Sequence, residues 1–264
     1  NTKNEIKMLS VIQKLKETFP VTIKSTFLGA HACPKKYTQE KYVDIIINEM
    51  IPEVANQKLA DYIDVFCDRG FFTPQQTEKI LEAGIKNGLK PKIHANELDF
   101  SGGIEVGVKM NAVSVDHLEC TSDEQINLLK NSNTIPTLLP GTAFFLGLEY
   151  PPAKKMIQSN LPIALASDYN PGSCPSGNMA FMISLACIKM KMNPIEAINA
   201  ATINGAHAME LEKQLGSIKR GKKANLIITE NIPSINFIPY CIGRNIINKV
   251  IINGKVYYDS ETNY

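Results

Sequence analysis

The chain has 264 residues, 44% of them hydrophobic and 20% charged, a balance that supports a sizeable core and excludes intrinsic disorder. Its 28 basic and 26 acidic residues leave a formal net charge of +2, without a dense Lys/Arg stripe, so the electrostatic footprint of a nucleic-acid binder is missing. The longest apolar runs, such as 43–47 broken by Asp44, fall far short of the roughly 20 residues of a membrane-spanning helix.

An amphipathic pattern begins almost at Asn1, with Ile6, Leu9, Val11, Ile12 and Leu15, so the chain is expected to open in a helix and to continue a longer molecule. Short apolar runs then alternate with longer helical patterns. The expected strands are 21–28, 62–66, 91–94, 112–117, 134–139 and 161–167. The expected helices are 39–55, 74–87, 103–110, 123–131 and 151–159. Thr73 before Pro74, and Ser122 before Asp123 and Glu124, are helix-start signals. After the sixth strand come helical stretches at 178–190, 194–201 and 205–209. Past Leu211, apolar runs at 224–229 and 249–258 read as strands of a small β unit, which need further strands to be stable.

Strand and helix in alternation feed a parallel sheet. Such a series closes most often as an eight-stranded barrel, whose chemistry sits at the C-terminal strand ends; an open doubly wound sheet is the alternative. No GxGxxG or GxxxxGK[ST] turn occurs, which disfavours nucleotide readings. Cysteines stand singly at 33, 67, 120, 174, 187 and 241, as in a reduced, cytoplasmic chain. Cys67, Cys120 and Cys187, among apolar neighbours, are expected to be buried thiols.

Three of the four histidines follow or end an expected strand: His31, His94 and His117. Asp168 closes the sixth strand in the same way. Each alone reads as a loop or core residue; together, at one rim of a barrel, they point to a site. Histidine with carboxylate suits a borderline divalent ion such as Zn or Fe. Glu97, three residues after His94, is placed to shuttle protons. The loop DYNPGSCPSG at 168–177 could offer backbone N–H groups and the Asn170 amide to a polar ligand.

TFLGAHACP around His31, KIHANE around His94, VDHLE around His117, LLPGTAFFLGL from Leu138, SDYNPGSCPSGNM from Ser167, and the closing GSIKRGKKANLIITE and VIINGKVYY together resemble the imidazolonepropionases, a histidine-degradation family of the amidohydrolase superfamily. The resemblance implies a distorted (β/α)8 barrel with one divalent metal ion, Zn or Fe, and a small β-sandwich. Counting back from Asp168 as the end of strand eight makes His117, His94 and His31 the ends of strands six, five and three. Strands one and two, with the family's HxH ligands, its Arg and its Tyr, have no counterpart in the chain. Residues 1–209 are thus an incomplete barrel, and 210–264 the C-terminal part of the sandwich.

Carried over position by position, the resemblance makes His94 and Asp168 metal ligands, with Asp168 also accepting a proton from the attacking water. Glu97 would contact substrate and assist proton transfer, and His117 would hydrogen-bond the reacting carbonyl region. His31, Asn170, Gly172 and Ser173 would hold substrate or product. The implied reaction is hydrolysis of 4-imidazolone-5-propanoate to N-formimidoyl-L-glutamate, in a cytoplasmic homodimer without nucleic-acid or membrane partners. Asn96, Asn225 and His207 depart from the family's usual Asp, Asp and Tyr. Two alternatives stand beside this reading: another amidohydrolase of cyclic amides or amidines, and a non-catalytic fragment prone to unfold.

Overall fold

Apolar runs bounded by turn formers become strands at all six expected places, although their limits shift. The structure is a computed structural model that describes residues 1–262. The strands are β1 (Thr26–Ala30), β2 (Tyr62–Cys67), β3 (Lys90–Ala95), β4 (Ser114–His117), β5 (Ile135–Leu138) and β6 (Ala164–Leu165). They follow the order β1-β2-β3-β4-β5-β6 in one sheet, with parallel pairing of β1 with β2, β2 with β3, β3 with β4 and β5 with β6. Helices occupy the connections, as parallel strands require.

The shifted limits have local causes. The first strand starts at Thr26, not Val21: the Ser25 amide donates to the Asp61 carboxylate at 2.8 Å and not to a neighbouring strand. The sixth expected strand shrinks to two residues: Pro162 has no N–H to give, and the Ile163 carbonyl accepts from Asn204 Nδ2 at 2.7 Å. The expected helix 39–55 is divided into Gln39–Ile45 and Ile51–Asn56 by a π turn at Ile46–Met50. The widened turn ends one residue short of Pro52, which cannot donate to a helical carbonyl. Thr73 and Ser122 cap their helices as expected, each in a reciprocal box with Gln76 or Gln125. An additional helix at Pro140–Leu146 falls between the expected elements.

The chain divides into two compact units, 1–136 and 137–264. In the first, the odd-numbered residues of the central strands carry the core: Ile63, Val65, Ile93 and Val115 are fully buried. Helices Pro74–Lys86 and Gly103–Lys109 press on that face. A Cβ on Gly107 would meet Val115 Cγ1 at 2.4 Å, so only glycine permits the approach.

The second unit contains a three-stranded antiparallel sheet of β7 (Leu226–Thr229), β8 (Ile247–Ile252) and β9 (Lys255–Asp259) in that order. The apolar run 249–258, read from sequence as one strand, is therefore a hairpin. Asn253 and Gly254 turn it with φ of 51° and 79°, the left-handed pair of a tight type I′ connection. Among the described residues no helix is long and apolar enough to cross a membrane.

Asp61 fastens the N-terminal helix Thr2–Thr18 to the start of the sheet. Its Oδ2 accepts from Lys16 Nζ at 2.8 Å, the Ser25 amide at 2.8 Å and Ser25 Oγ at 3.1 Å. Burial pushes the Asp61 carboxyl up, but Lys16 and Ser25 together outweigh it and hold the pKa below 3.8. A depressed folded-state pKa gives stability that is complete above the unfolded value and disappears as pH falls through the folded one. Asp61→Asn is expected to lower unfolding free energy at neutral pH by about 1 kcal/mol, a figure discounted for partial solvent exposure. The difference from wild type should shrink below pH 3.8; denaturant titrations at pH 7 and pH 3 measure both, and a difference independent of pH would contradict this account.

Candidate active site

Parallel strands buried on both faces leave a polar side chain no solvent, so each must find a partner. Asp64 and Phe66 of β2, Lys92 and His94 of β3, and Ser114 and Asp116 of β4 share the even-numbered face, in adjacent register. Lys92 Nζ donates to Ser114 Oγ at 2.7 Å, and that hydroxyl donates to Asp116 Oδ1 at 2.6 Å. Lys92 also lies over the Tyr62 ring, 5.2 Å from its centroid. Burial raises the Asp116 pKa, with Lys92 opposing and Asp64 adding to the rise.

His94 sits nearer the C-terminal end of this face. Asp64 Oδ1 accepts its backbone N–H at 3.2 Å and lies 2.9 Å from its ring Nδ1. The Asp64 side chain is only 5% exposed. His31 follows β1, and its ring lies 6.0 Å from that of His94, edge-on. Phe66 packs against both, at 5.3 Å from His31 and 5.7 Å from His94, and Phe71 lies on Phe66 at 4.0 Å, tilted by 32°.

His117 reaches the same place by a different route. Register sets it beside Ala95, on the odd-numbered side. Its φ of 82°, followed by 73° at Leu118, takes the chain out of the pleat and brings the ring centroid 5.2 Å from that of His94. Two successive non-glycine residues in this region cost about 1–2 kcal/mol each, strain of the kind that gathers at functional sites. The buried ring stands between two carboxylates, with Glu97 Oε2 3.6 Å from Nε2 and Glu119 Oε2 3.9 Å from Nδ1. Burial first, then repulsion from His94 and His31, holds its pKa well below 6.5, so the ring is neutral at neutral pH.

The segment bearing Glu97 is stitched to the end of β2. The Leu98 amide donates to Asp68 Oδ2 at 2.9 Å, Ser101 Oγ donates to the Cys67 carbonyl at 3.1 Å, and Arg69 pairs with Asp99 at 3.0 Å. Asn96 is fully buried with φ of 55°, a conformation that Asn tolerates. Its Nδ2 donates to the Cys120 carbonyl at 2.8 Å, a bond that a carboxylate could not donate.

Asp168 belongs to the second unit. It too is left-handed, at φ 53°, immediately after the sixth strand region. Its Oδ2 accepts from Thr142 Oγ1 at 2.6 Å and from Ser173 Oγ at 3.3 Å. Thr142 is fully buried on the helix Pro140–Leu146. That helix lies close because a Cβ on Gly141 would come within 2.6 Å of Cys174 Sγ. Asn170 folds the loop back on itself: its Oδ1 accepts from the Gly172 and Ser173 amides at 2.8 Å each, and its Nδ2 donates to Asp168 O and Ser173 Oγ. The loop amides expected to face a ligand are therefore occupied by Asn170, and a ligand would have to compete for them.

The structure thus brings His31, His94, Glu97 and His117 together in one unit, and Asp168, Asn170, Gly172 and Ser173 in the other. Sequence reasoning missed Asp64, Asp68, Glu119 and Thr142. The two aspartates were visible as acids within the apolar run YIDVFCD, where a charge signals a paired, positioned group. Among the described residues no group of three or more His, Cys, Asp or Glu side chains could hold a metal ion. The donors present nevertheless suit one: a ring whose Nδ1–H is engaged by a carboxylate carries its lone pair on Nε2 when neutral. Cys67 is a poor nucleophile, buried with its pKa pushed up to about 11 by burial. Cys120 and Cys187, expected to be buried, are half-buried, whereas Cys174 is the other buried one.

The family described as Amidohydrolase family matches residues 36–257. The chain is 57% identical over 256 residues to an imidazolonepropionase of Flavobacterium johnsoniae and 54% identical over 256 residues to one of Christiangramia forsetii. Each alignment covers 96% of this chain and 62% of the relative, so the chain spans about 62% of the length of these curated relatives. Among solved structures, a 5-methylcytosine deaminase from Klebsiella pneumoniae superposes with a TM-score of 0.76 at 15% identity, covering 98% of this chain and 68% of that one. An adenosine deaminase from Xanthomonas campestris with bound Zn gives 0.72 at 16% identity, covering 95% and 64%. At these identities the two structures speak for the fold alone.

The support of Asp168 is open to test. Thr142→Val keeps the shape and removes the 2.6 Å donor. It is expected to cost about 1.5–3 kcal/mol, the range for a hydrogen bond to a charged group, measured by denaturant unfolding. A loss below about 0.5 kcal/mol, the level of an ordinary surface substitution, would mean that the bond does not hold the loop.

Proposed function

Because the chain belongs to the amidohydrolase family, we propose that the protein hydrolyses the cyclic amide of 4-imidazolone-5-propanoate to N-formimidoyl-L-glutamate. The observation that carries this reading is the cluster of His31, His94, Glu97 and His117 at neighbouring strand ends, in a chain 57% identical over 256 residues to an imidazolonepropionase. In finer terms, β1 to β6 are strands three to eight of a (β/α)8 barrel. Residues 1–209 belong to that barrel and 210–264 to a small β-sandwich. The protein works as a cytoplasmic homodimer on a small molecule and water.

Ring opening requires water to add to the carbonyl carbon, the carbon–nitrogen bond to break, and a proton to reach the departing nitrogen. In the first unit His94 is the residue that would hold a divalent ion, Zn or Fe; in the second, Asp168 is. Such an ion, when bound, polarises the carbonyl and makes water a better nucleophile. Asp168 takes the proton of the attacking water, with Thr142 fixing the carboxylate oxygen Oδ2. Glu97 carries a proton towards the leaving nitrogen. The neutral ring of His117 has one N–H and donates it to the oxygen that gains charge. His31 lies against Phe66 and Phe71 and offers a flat polar edge to a planar ring. Asn170, Gly172 and Ser173 hold the substrate's polar end once they exchange their internal bonds for it.

A second reading, prompted by a chain that spans 62% of the length of its relative, is that residues 1–264 alone bind metal too weakly to act. Zinc titration of this chain beside the product of the complete gene separates the two.

The test of the main reading is loss of imidazolonepropionate absorbance with stoichiometric formimidoylglutamate, measured on the product of the complete gene. Glu97→Gln and His117→Asn are each expected to lower kcat by about 100-fold or more, the usual contribution of a positioned proton-transfer group. Metal-replete protein without turnover above background would rule the reading out.

A further inference from the structure

Asp64 is a buried carboxylate that the proposed chemistry does not use. Its side chain is 5% exposed, on a strand whose every residue is buried. Two of its contacts run to a single residue: Oδ1 receives the His94 amide N–H at 3.2 Å and meets His94 Nδ1 at 2.9 Å. An oxygen that already accepts the amide hydrogen is an acceptor, so the ring must donate from Nδ1. A neutral imidazole with its proton on Nδ1 carries its lone pair on Nε2, the form that binds a metal.

The two bonds do different work. The amide bond fixes Asp64 relative to the β3 backbone, and the ring bond then sets χ2 of His94 against that fixed oxygen. Phe66, one pleat further along the same face and opposite His94 in register, closes off rotation with its ring centroid 5.7 Å from that of His94. We propose that Asp64 is the positioning residue of the metal site: it selects the Nδ1–H tautomer of His94 and aims Nε2 as a ligand before any ion arrives. The inference rests on the reading of His94 as a ligand and adds the group that makes it one.

The experiment uses the product of the complete gene, with Asp64→Ala and the near-isosteric Asp64→Asn. Ring tautomers are read from long-range ¹⁵N–¹H correlations in metal-free, ¹⁵N-histidine-labelled protein, above the pH at which imidazole protonates; His94→Gln identifies the signal. Wild-type His94 should carry its proton on Nδ1, and Asp64→Ala should shift the ring to a tautomer mixture. Competition with a chelator for Zn²⁺ should then show affinity about 10- to 100-fold weaker in both variants, the usual cost of removing an outer partner of a metal-bound histidine. An Nε2–H tautomer in wild type overturns the proposal, even if neither variant folds. So does a folded variant whose zinc affinity stays within about twofold of wild type, against that expected loss. Both readouts work without substrate. Protein that passes them but leaves imidazolonepropionate intact defeats the functional reading alone, whereas full turnover with zinc affinity unmoved by Asp64→Ala defeats this inference alone.

Discussion

The bond between Asp64 and His94 is the constraint around which the rest of the first unit is arranged. A parallel strand covered on both faces cannot hydrate a polar side chain, and an unpartnered carboxylate there would cost several kcal/mol. β2 and β3 solve this across their shared register: the acid of one strand binds both backbone and ring of the next. Lys92, Ser114 and Asp116 repeat the solution on the neighbouring strands of the same face. Polar chemistry is thus built into the sheet as a connected set, and His94 stands at its C-terminal edge where the chain leaves the strands.

At that edge the backbone itself is unusual. Asn96, His117 and Leu118 in one unit, and Asp168 in the other, all adopt left-handed φ. Each lies just where a strand ends, and the strain is held by bonds to neighbours: the Leu118 amide to Ala95 O, the Cys120 amide to Asn96 O, and Thr142 to Asp168. A rigid sheet can support such residues because their partners are fixed by register. The same rigidity lets His117 sit between two carboxylates without becoming charged, since burial and the neighbouring histidines oppose its protonation.

Much of this was legible in the sequence, for a physical reason. Strand and helix patterns depend on periodicity within a few residues, so the six strands, the capped helices at Thr73 and Ser122, and the placing of His31, His94 and His117 at strand ends could be read directly. What failed was governed by partners distant in sequence. The Ser25 amide is taken by Asp61, 36 residues on. The last strand lost length to Asn204, 41 residues beyond Ile163. Asn253 and Gly254 were a readable turn signal that the apolar residues around them obscured.

By itself, then, the sequence determined the alternation that makes a parallel sheet, the end of that sheet where polar groups collect, and the motifs by which the chain is placed among amidohydrolases. Only the tertiary structure decided which groups work together. Strict alternation puts Asp116 on the face of His94, and only a left-handed backbone brings His117 to that ring as well. Composition marked Asp64 as odd within its strand but could not name His94 as its partner, and the Pro/Gly-rich loop gave no sign that Asn170 would occupy its amides. Periodicity is a property of neighbouring residues and survives in the sequence, whereas a buried hydrogen bond is fixed by cross-strand register and backbone angle, which exist only once the chain has folded.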